Sequence, residues 1–274
     1  MITEIDGFIC SDNSKECTIK SWLGYTVTSV DRIQDGSFSR MIRSLDASQS
    51  SICVGIRGGT AQDLPYNFDK VVELPLKISL SSARNELMEK FPCTGNDVVF
   101  FPDDDCWFGK NSRDSIENIL ANSDFAIGVI DTDGSEDVEI QGGAEIDLSV
   151  ALEVSASAAI FCKGNWLDKF KFDERLGLGA QIGSAEDLDL VLYLLTRGAK
   201  GTFEKSIRIG HPKKDRGMEY FPGSIAVLRK YTQVWPKAWA YMIRRLAHGV
   251  LYTIQGKLSL KSLLTAFAVM MRKT

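Results

Sequence analysis

Short apolar runs rich in β-branched and aromatic residues recur through the first hundred positions, and polar turns bound each one. They are YTVTSV (25–30), SICVGI (51–56), KVVELPL (70–76) and DVVFF (97–101). Such runs predict buried strands. The intervening segments SFSRMIRSLDAS (37–48) and SLSSARNELMEKF (79–91) carry apolar residues at helical spacing. Alternating strands and helices predict an α/β fold with a mostly parallel open sheet, in which ligands bind beyond the carboxyl ends of the strands.

The pattern continues less regularly after residue 120. AIGVIDTDG (126–134) predicts a further strand and turn, and the acidic stretch DTDGSEDVEIQGG (131–143) predicts a loop or lid. SVALEVSASAAIFC (149–162) fits a strand or a helix, although its end favours a strand at 158–162. SAEDLDLVLYLLTRG (184–198) predicts a helix with Ser184 as N-cap and Gly198 as the C-terminal stop.

The charge is distributed unevenly along the chain. Its 274 residues have a net charge of −4, but residues 221–274 contain nine Lys or Arg and no Asp or Glu, whereas residues 1–220 contain 23 basic and 36 acidic residues. This asymmetry indicates a C-terminal segment that binds an anionic partner. Nucleic acid and an anionic membrane surface both fit the charge alone.

The pattern within the basic segment favours the membrane. Trp235, Trp239, Met242, Leu246 and Val250 recur at helical spacing on one side, and Leu260, Leu263, Leu264 and Phe267 continue the pattern. Basic, Trp-bearing amphipathic helices lie in the membrane interface. We therefore predict a catalytic domain at 1–215 and a basic helical tail at 216–274, with an anionic membrane surface bound through 221–274 and no nucleic-acid partner. The alternative is that the apolar faces pack on the catalytic domain or on a second subunit.

The spacing of the cysteines and the composition of the first residues predict the cellular compartment. The six cysteines, at positions 10, 17, 53, 93, 106 and 162, include no C-x-x-C pair. This spacing favours reduced thiols. The first residues are acidic and do not resemble a secretory signal. We expect a cytoplasmic protein, peripheral on the cytoplasmic face of the inner membrane.

Three consecutive aspartates, Asp103, Asp104 and Asp105, follow the fourth predicted strand and precede Trp107 and Phe108. Like charges this close are costly unless something positive lies between them. An Asp-x-Asp after a buried strand suits Mg²⁺ or Mn²⁺, which take oxygen ligands from one or two carboxylates and from substrate phosphates. A solvated acidic turn is the alternative.

A second acidic pair opens the helix predicted at 184–198. Glu186 and Asp187 fall in its first turn, where the helix dipole stabilises a negative charge. A carboxylate held there can accept a proton from an incoming hydroxyl. Ordinary charge at a helix N-terminus is the alternative.

Taken together, these segments resemble the inverting, nucleotide-sugar-dependent glycosyltransferases of family 2, which have the Rossmann-like GT-A fold. The resemblance covers roughly residues 23–215. It rests on SSARNELM, on DVVFFPDDDCWF, and on FDERLGLGAQIGSAEDLDLVLYLLTRGAK, where F-D-E-x-h-G-x-G precedes E-D-x-D-h. Two positions depart from the family pattern: Arg57 follows the second strand in place of an acidic residue, and Lys77 and Ser79 replace the usual Asn and Gly before A-R-N.

The resemblance implies a role for each matched residue. Asp187 would be the general base, with Glu186 in support. Nucleotide-sugar binding would involve Ser29, Asp31, Arg32, Arg57, Arg84, Asp103 and Asp104. The Mg²⁺ or Mn²⁺ would be held by Asp103, Asp105 and His211. A structural role for His211 is the alternative.

The expected reaction is the metal-dependent transfer of a sugar from a nucleotide-sugar donor, expected to be a UDP-sugar, to a hydroxyl of a glycan acceptor. A basic tail at a membrane makes a polyprenyl-diphosphate-linked acceptor in surface polysaccharide synthesis, such as O-antigen or capsule, the expected partner.

Other classes fit parts of the sequence. A metal-dependent sugar nucleotidyltransferase would place a glycine-rich phosphate loop at the first strand, whereas GIRGGT follows the second. A haloacid-dehalogenase-like phosphatase would have Thr soon after its D-x-D, whereas Cys106 and Trp107 follow here. A membrane or nucleic-acid adaptor leaves both acidic clusters unexplained.

Overall fold

The computed structural model describes residues 21–45, 50–132, 141–212 and 220–271. Within them the strands are β1 (Ser21–Ser29), β2 (Ser50–Arg57), β3 (Lys70–Leu74), β4 (Asp97–Phe100), β5 (Trp107–Phe108), β6 (Phe125–Asp131), β7 (Ala144–Glu145), β8 (Ile160–Lys163) and β9 (Gly201–Gly210). The helices are α1 (Val30–Gln34), α2 (Ser37–Ser44), α3 (Leu80–Lys90), α4 (Ser112–Leu120), α5 (Leu148–Val154), α6 (Glu186–Thr196), α7 (Phe221–Tyr231), α8 (Lys237–Ile254) and α9 (Leu260–Met271).

One open sheet organises the described chain, in the order β3-β2-β1-β4-β8-β6-β9-β5, with β7 pairing with β9. The first four strands in this order pair in parallel, and antiparallel pairs flank β8. β6 and β9 pair in parallel again. The predicted α/β fold with an open sheet, flanking helices and a C-terminal helical extension is confirmed, with antiparallel pairing added in the second half of the sheet.

Apolar side chains fill both faces of the sheet. One cluster lies under α2 and α4 and includes Phe38, Met41, Phe100 and Ile116, all fully buried. The larger cluster joins the opposite face of the sheet to α3, α5 and α6 and continues into α7, α8 and α9. Burial on both faces explains why the parallel strands are continuous apolar runs in sequence.

Several predicted boundaries change. The ambiguous segment contains α5 and then β8, which begins at Ile160 close to the favoured position. The prediction that Ser184 is an N-cap is wrong, because α6 starts one residue later and Ala185 is its N-cap, with φ +76°. Gly198 has φ +86° just beyond the helix, consistent with the predicted stop.

The C-terminal helices combine buried and exposed apolar residues. Ile225, Val227 and Leu228 of α7 are fully buried, as are Ala238 and Met242 of α8. Apolar side chains of α8 and α9 also remain exposed, namely Trp239, Ile243, Val250, Leu251, Ile254, Leu260, Leu264, Phe267 and Met271. No helix in the described ranges combines the length and the apolar character needed to cross a bilayer.

An ion pair with a fully buried carboxylate links α7 to α6. Lys230 Nζ donates to both carboxylate oxygens of Asp189, at 2.8 and 2.7 Å, and Asp189 is fully buried. The Tyr231 hydroxyl donates to the Asp189 carbonyl at 3.1 Å. At least one of the basic residues that we assigned to surface binding therefore has an internal partner.

Some predictions fall outside the described residues. These are Cys10 and Cys17, most of the acidic loop at 131–143, and the basic residues Arg272 and Lys273. The four cysteines within the described ranges, at 53, 93, 106 and 162, are free thiols.

Candidate active site

The carboxyl ends of six strands, including β3, meet at one edge of the sheet. β1, β2 and β4 run in parallel. β8 is antiparallel to both β4 and β6, so β6 and its parallel neighbour β9 run in the same direction as β4. The aspartates after β4 and His211 after β9 therefore lie at the same edge, although more than a hundred residues separate them.

Gly210 allows β9 to approach the segment that follows the aspartates. A Cβ at Gly210 would lie 1.9 Å from the Trp107 ring, so only glycine fits at the point where β9 pairs with β5. The Arg40 guanidinium lies over the same Trp107 ring, 4.2 Å from its centroid, and Arg40 Nη2 donates to the Asp105 carbonyl at 3.0 Å. These contacts fix Asp105 next to His211.

Arginine and histidine side chains supply the positive charge between the three aspartates. Arg84 Nη2 lies 3.3 Å from Asp103 Oδ1, and Arg32 Nη2 lies 3.0 Å from Asp105 Oδ2. His211 Nε2 lies 3.1 Å from Asp105 Oδ1 and 3.5 Å from Asp103 Oδ2. The cluster therefore alternates in charge instead of accumulating one sign.

The pKa values in this cluster reflect the pairing. Burial alone would lower the pKa of His211, but its hydrogen bonds to Asp103 and Asp105 raise it to about 9. Burial would raise the pKa of Asp103, but His211 and Arg84 hold it below its usual value. Burial and the neighbouring Asp105 raise the pKa of Asp104 to about 6. Asp104 is thus less compensated by its surroundings than Asp103.

The donor atoms of Asp103, Asp105 and His211 converge. One ligand atom from each lies within 4.8 Å of the others. Two carboxylates and an imidazole form a donor set that Mn²⁺ accepts readily and Mg²⁺ accepts in part. The Nδ1 of His211 lies 2.8 Å from the Pro212 carbonyl, which leaves Nε2 directed at the carboxylates. These residues fit a divalent cation.

The second acidic pair lies at the start of α6. Glu186 is buried, and Asp187 accepts a hydrogen bond from the Ser157 backbone N–H at 3.1 Å through Oδ2. Burial and the Asp187 charge raise the pKa of Glu186 to about 8. Burial also raises the pKa of Asp187, although the Ser157 N–H and Arg84 oppose this. At a given pH, a proton is therefore more often bound to this pair of carboxyl groups than to two exposed carboxyl groups.

Arg84 connects the two acidic groups. Its side chain is 1% exposed, and Nη2 reaches Asp103 Oδ1 at 3.3 Å and Ser157 Oγ at 3.2 Å. Its Nε and Nη1 atoms are buried and have no hydrogen-bond partner. Phe101 and Phe172 flank the guanidinium, each 5.6 Å from its carbon. The triplet and Asp187 are thus joined through Arg84 and Ser157.

Both acidic groups line one cavity of about 730 Å³. Of the site residues predicted from sequence, it includes Arg32, Arg57, Arg84, Asp103, Asp104, Asp105, Glu186, Asp187 and His211. Ser29 and Asp31 do not line it: Ser29 precedes α1 as its N-cap, and Asp31 is exposed. A cavity of this size suits a ligand larger than a single sugar.

Sequence reasoning missed several residues of this site. Arg40 lies in α2, which the sequence predicts only from its apolar spacing. Ser157 lies in the segment 149–162, whose sequence fits a strand or a helix. Ser184 lines the cavity where a helix cap was expected, and Arg245 lines it from the basic tail. No local signal marks these residues, because each reaches the site through a contact that is distant in sequence.

The same fold occurs in crystal structures of TarS from S. aureus. TarS 1-349 in complex with UDP-GlcNAc aligns with a TM-score of 0.64 at 12% identity, over 91% of this chain and 79% of that one. TarS 1-349 in complex with UDP aligns with a TM-score of 0.53 at 11% identity, over 91% and 90% of the two chains. A longer TarS chain aligns at 0.55 and 11% identity over 77% of this chain, which spans only 40% of that chain's length.

At this level of identity the likeness establishes a shared fold. No protein-family model matches the sequence, and no curated protein matches it.

Proposed function

We propose that this protein is a metal-dependent inverting glycosyltransferase that moves a sugar from a nucleotide-sugar donor to an acceptor hydroxyl. The observation that carries the proposal is the single cavity that joins a convergent Asp103, Asp105 and His211 set to the Glu186–Asp187 pair through Arg84. A site for a diphosphate and a site for a base are both needed for this reaction. TarS, which has the same fold, was crystallised with UDP-GlcNAc, which supports a UDP-sugar as the donor.

The triplet and its arginines are suited to the donor diphosphate. Asp103, Asp105 and His211 would hold Mg²⁺ or Mn²⁺, which supplies charge neutralisation for the departing nucleotide diphosphate. The Nε and Nη1 atoms of Arg84 are buried and have no hydrogen-bond partner among the described residues, and phosphate oxygens would satisfy them. Arg32 and Arg57 line the same cavity. Arg84 and Arg32 also pair with Asp103 and Asp105.

Asp187 is suited to the role of general base. The hydrogen bond from Ser157 N–H orients its carboxylate, and its raised pKa makes it a better proton acceptor than an exposed aspartate. It would take the proton from the acceptor hydroxyl as that oxygen attacks the anomeric carbon. Burial and the Asp187 charge raise the pKa of Glu186 to about 8, and its protonated form can donate a hydrogen bond.

We propose that the acceptor is presented at a membrane. The exposed apolar side chains of α8 recur at helical spacing, at Trp239, Ile243, Val250 and Ile254. Lys237, Arg244 and Lys257 are exposed in the same region. Basic residues near apolar side chains favour an anionic lipid interface. A polyprenyl-diphosphate-linked glycan would be accessible to an enzyme at that surface, on the cytoplasmic face of the inner membrane.

The donor proposal is tested by thermal unfolding of the full chain with UDP-, GDP- and dTDP-sugars, with and without Mn²⁺. We expect a UDP-sugar to raise the Tm only when Mn²⁺ is present. Asp105→Asn should abolish the Mn²⁺-dependent part, whereas the exposed Asp114→Asn, on α4, should not change it. If no sugar nucleotide changes the Tm, the glycosyltransferase proposal is wrong.

The membrane proposal is tested by flotation with vesicles. Wild type should float with phosphatidylglycerol vesicles and not with phosphatidylcholine vesicles. Ile243→Glu combined with Ile254→Glu should prevent flotation without lowering the Tm, because both side chains are exposed, at 59% and 78%. Undiminished flotation of this variant would contradict the assignment.

A further inference from the structure

One wall of the cavity is formed by the tail and not by the sheet edge. Ser184 and Ala185 precede α6, Tyr220 and Ser224 belong to the start of α7, and Arg245 comes from α8. These residues surround the end of the cavity next to Glu186, far along the chain from the aspartate triplet. Their packing is close: a Cβ at Gly223 would lie 2.4 Å from Ser184 Oγ.

Arg245 is held in place but has no negative partner among the described residues. Its Nε donates to Ser224 Oγ at 2.6 Å, and that hydroxyl donates to the Phe221 carbonyl at 2.8 Å. None of the Asp or Glu residues in the described ranges forms an ion pair with Arg245. Burial lowers its pKa, because the guanidinium gives up part of its hydration. The Nε contact fixes the plane of the guanidinium and leaves its Nη groups for a ligand.

Ser184 provides a second, independent indication of a ligand. Ser184 is 3% exposed and lines the cavity, and its buried Oγ has no hydrogen-bond partner in the part of the chain that the structure describes. Buried hydroxyl groups in native proteins usually have a partner, so an orphaned hydroxyl at a cavity wall indicates a ligand oxygen. The start of the 11-residue helix α7 lies at the same wall, where a helix dipole favours an anion.

We propose that Arg245 and Ser184, with the start of α7, form a subsite for a phosphate group carried by the acceptor. The inference rests on the proposed function and names the chemical class of its acceptor: a phosphate ester whose free hydroxyl reaches Asp187. A donor diphosphate is already served by Arg84, Arg32 and the convergent metal ligands. A neutral glycan would leave the Arg245 charge without a partner, whereas phosphate accepts the paired N–H groups of a guanidinium.

The test measures binding of glycerol 3-phosphate, with glycerol as the neutral control, to the full chain saturated with UDP and Mn²⁺. Wild type should bind the phosphate ester and not glycerol. Arg245→Gln should weaken binding by about 10-fold or more, because a charge-assisted hydrogen bond is lost. Arg244→Gln is the matched control, since the adjacent exposed arginine carries the same charge. It should change binding by less than about twofold, whereas a loss equal to that of Arg245→Gln would indicate a general charge effect and overturn the proposal.

Two further variants keep the test decisive if Arg245→Gln destabilises the protein. Arg245→Lys retains the charge and should bind with an intermediate affinity. Ser184→Ala should weaken binding several-fold with no loss in Tm, because the hydroxyl forms no hydrogen bond with the described residues. Wild-type affinity in both variants would overturn the subsite, as would failure of wild type to bind the phosphate ester.

Two further measurements complete the test. Vesicle binding distinguishes a lipid headgroup from a free phosphate ester, and UDP binding distinguishes failure of the subsite from failure of the proposed function. Phosphatidylglycerol vesicles should bind Arg245→Gln as well as wild type, and loss of vesicle binding with unchanged glycerol 3-phosphate binding would assign Arg245 to the lipid surface and contradict the subsite. UDP affinity should be unchanged in Arg245→Gln. If UDP does not bind even to wild type, the proposed donor is wrong. The Arg245→Gln and Arg244→Gln comparison with glycerol 3-phosphate alone then still decides the phosphate subsite.

Discussion

The ion pair between Lys230 and Asp189 offers a quantitative test of how α7 is held on α6. Lys230→Met keeps most of the aliphatic side chain and removes the ammonium group that contacts both carboxylate oxygens, at 2.8 and 2.7 Å. Asp189 is fully buried, whereas the Lys230 side chain is 39% exposed. The substitution therefore leaves a buried carboxylate without its counter-charge.

The expected loss is large and depends on pH. Breaking a buried pair by removing one partner costs about 3 to 5 kcal/mol, and the partial exposure of Lys230 places this pair at about 3 kcal/mol near pH 8. Burial already raises the pKa of Asp189 even with Lys230 present, so without Lys230 the pKa should rise further. A carboxyl group with a raised folded pKa favours the folded state when protonated. The deficit should consequently shrink as pH falls from 8 towards 5, because Asp189 can then take up a proton.

The measurement is urea unfolding of Lys230→Met and wild type at pH 8 and pH 5. Lys237→Met, an exposed lysine at the start of α8, is the matched control and should stay within about 0.5 kcal/mol of wild type at both pH values. Lys230→Met combined with Asp189→Leu should recover much of the stability, since an apolar pair avoids the desolvation cost. A deficit below about 0.5 kcal/mol at pH 8, or one that does not change with pH, would refute this reasoning.

Three further outcomes are expected. Glu186→Gln should gain stability relative to wild type as pH rises from 5 to 8.5, by about 1 kcal/mol per pH unit in urea unfolding, because burial and Asp187 raise the pKa of Glu186 and disfavour its ionisation in the folded state. An equal free energy of unfolding of the two proteins across this range would contradict this expectation. Asp187→Asn should lower kcat by about 10² to 10⁴ while UDP affinity stays within about twofold, and wild-type kcat should fall as the pH drops through the pKa of the base. Gly164→Ala should cost about 2 kcal/mol or more in urea unfolding, because its Cβ would lie 2.0 Å from the Thr94 carbonyl oxygen, whereas Gly95→Ala meets an ordinary 3.6 Å contact and should be nearly neutral.

Local sequence patterns predicted correctly those strands and helices whose own residues form a continuous apolar surface. The strands β1, β2 and β4 are apolar runs because both sheet faces are covered, and the acidic triplet was placed at the sheet edge because a parallel strand precedes it. The helix at α6 was predicted from its periodicity. Its start was misplaced by one residue, because Ala185 adopts a left-handed conformation that composition does not favour.

Tertiary contacts decided what the sequence pattern left open. The strand β8 lies between β4 and β6 although it comes much later than β4, and its antiparallel direction has no local signal. The basic residues of the tail were interpreted together as a surface, but Lys230 and Arg245 point to partners inside the fold. A count of charges does not distinguish a solvated lysine from one paired with a buried carboxylate. For Lys230 that carboxylate is Asp189, which is 41 residues away in the sequence.

The left-handed Ala185 limits how the chain can be shortened. Positive φ is unfavourable for alanine, and the conformation persists only where the surroundings enforce it. Those surroundings include α7, since a Cβ at Gly223 would lie 2.9 Å from the Ala185 Cβ. A protein truncated at residue 220 should therefore lose the backbone conformation that presents Glu186 and Asp187, along with the buried residues of α7. A shortened protein for crystallisation should therefore keep the chain through Tyr231, because removal of α7 takes away a support of the proposed active site.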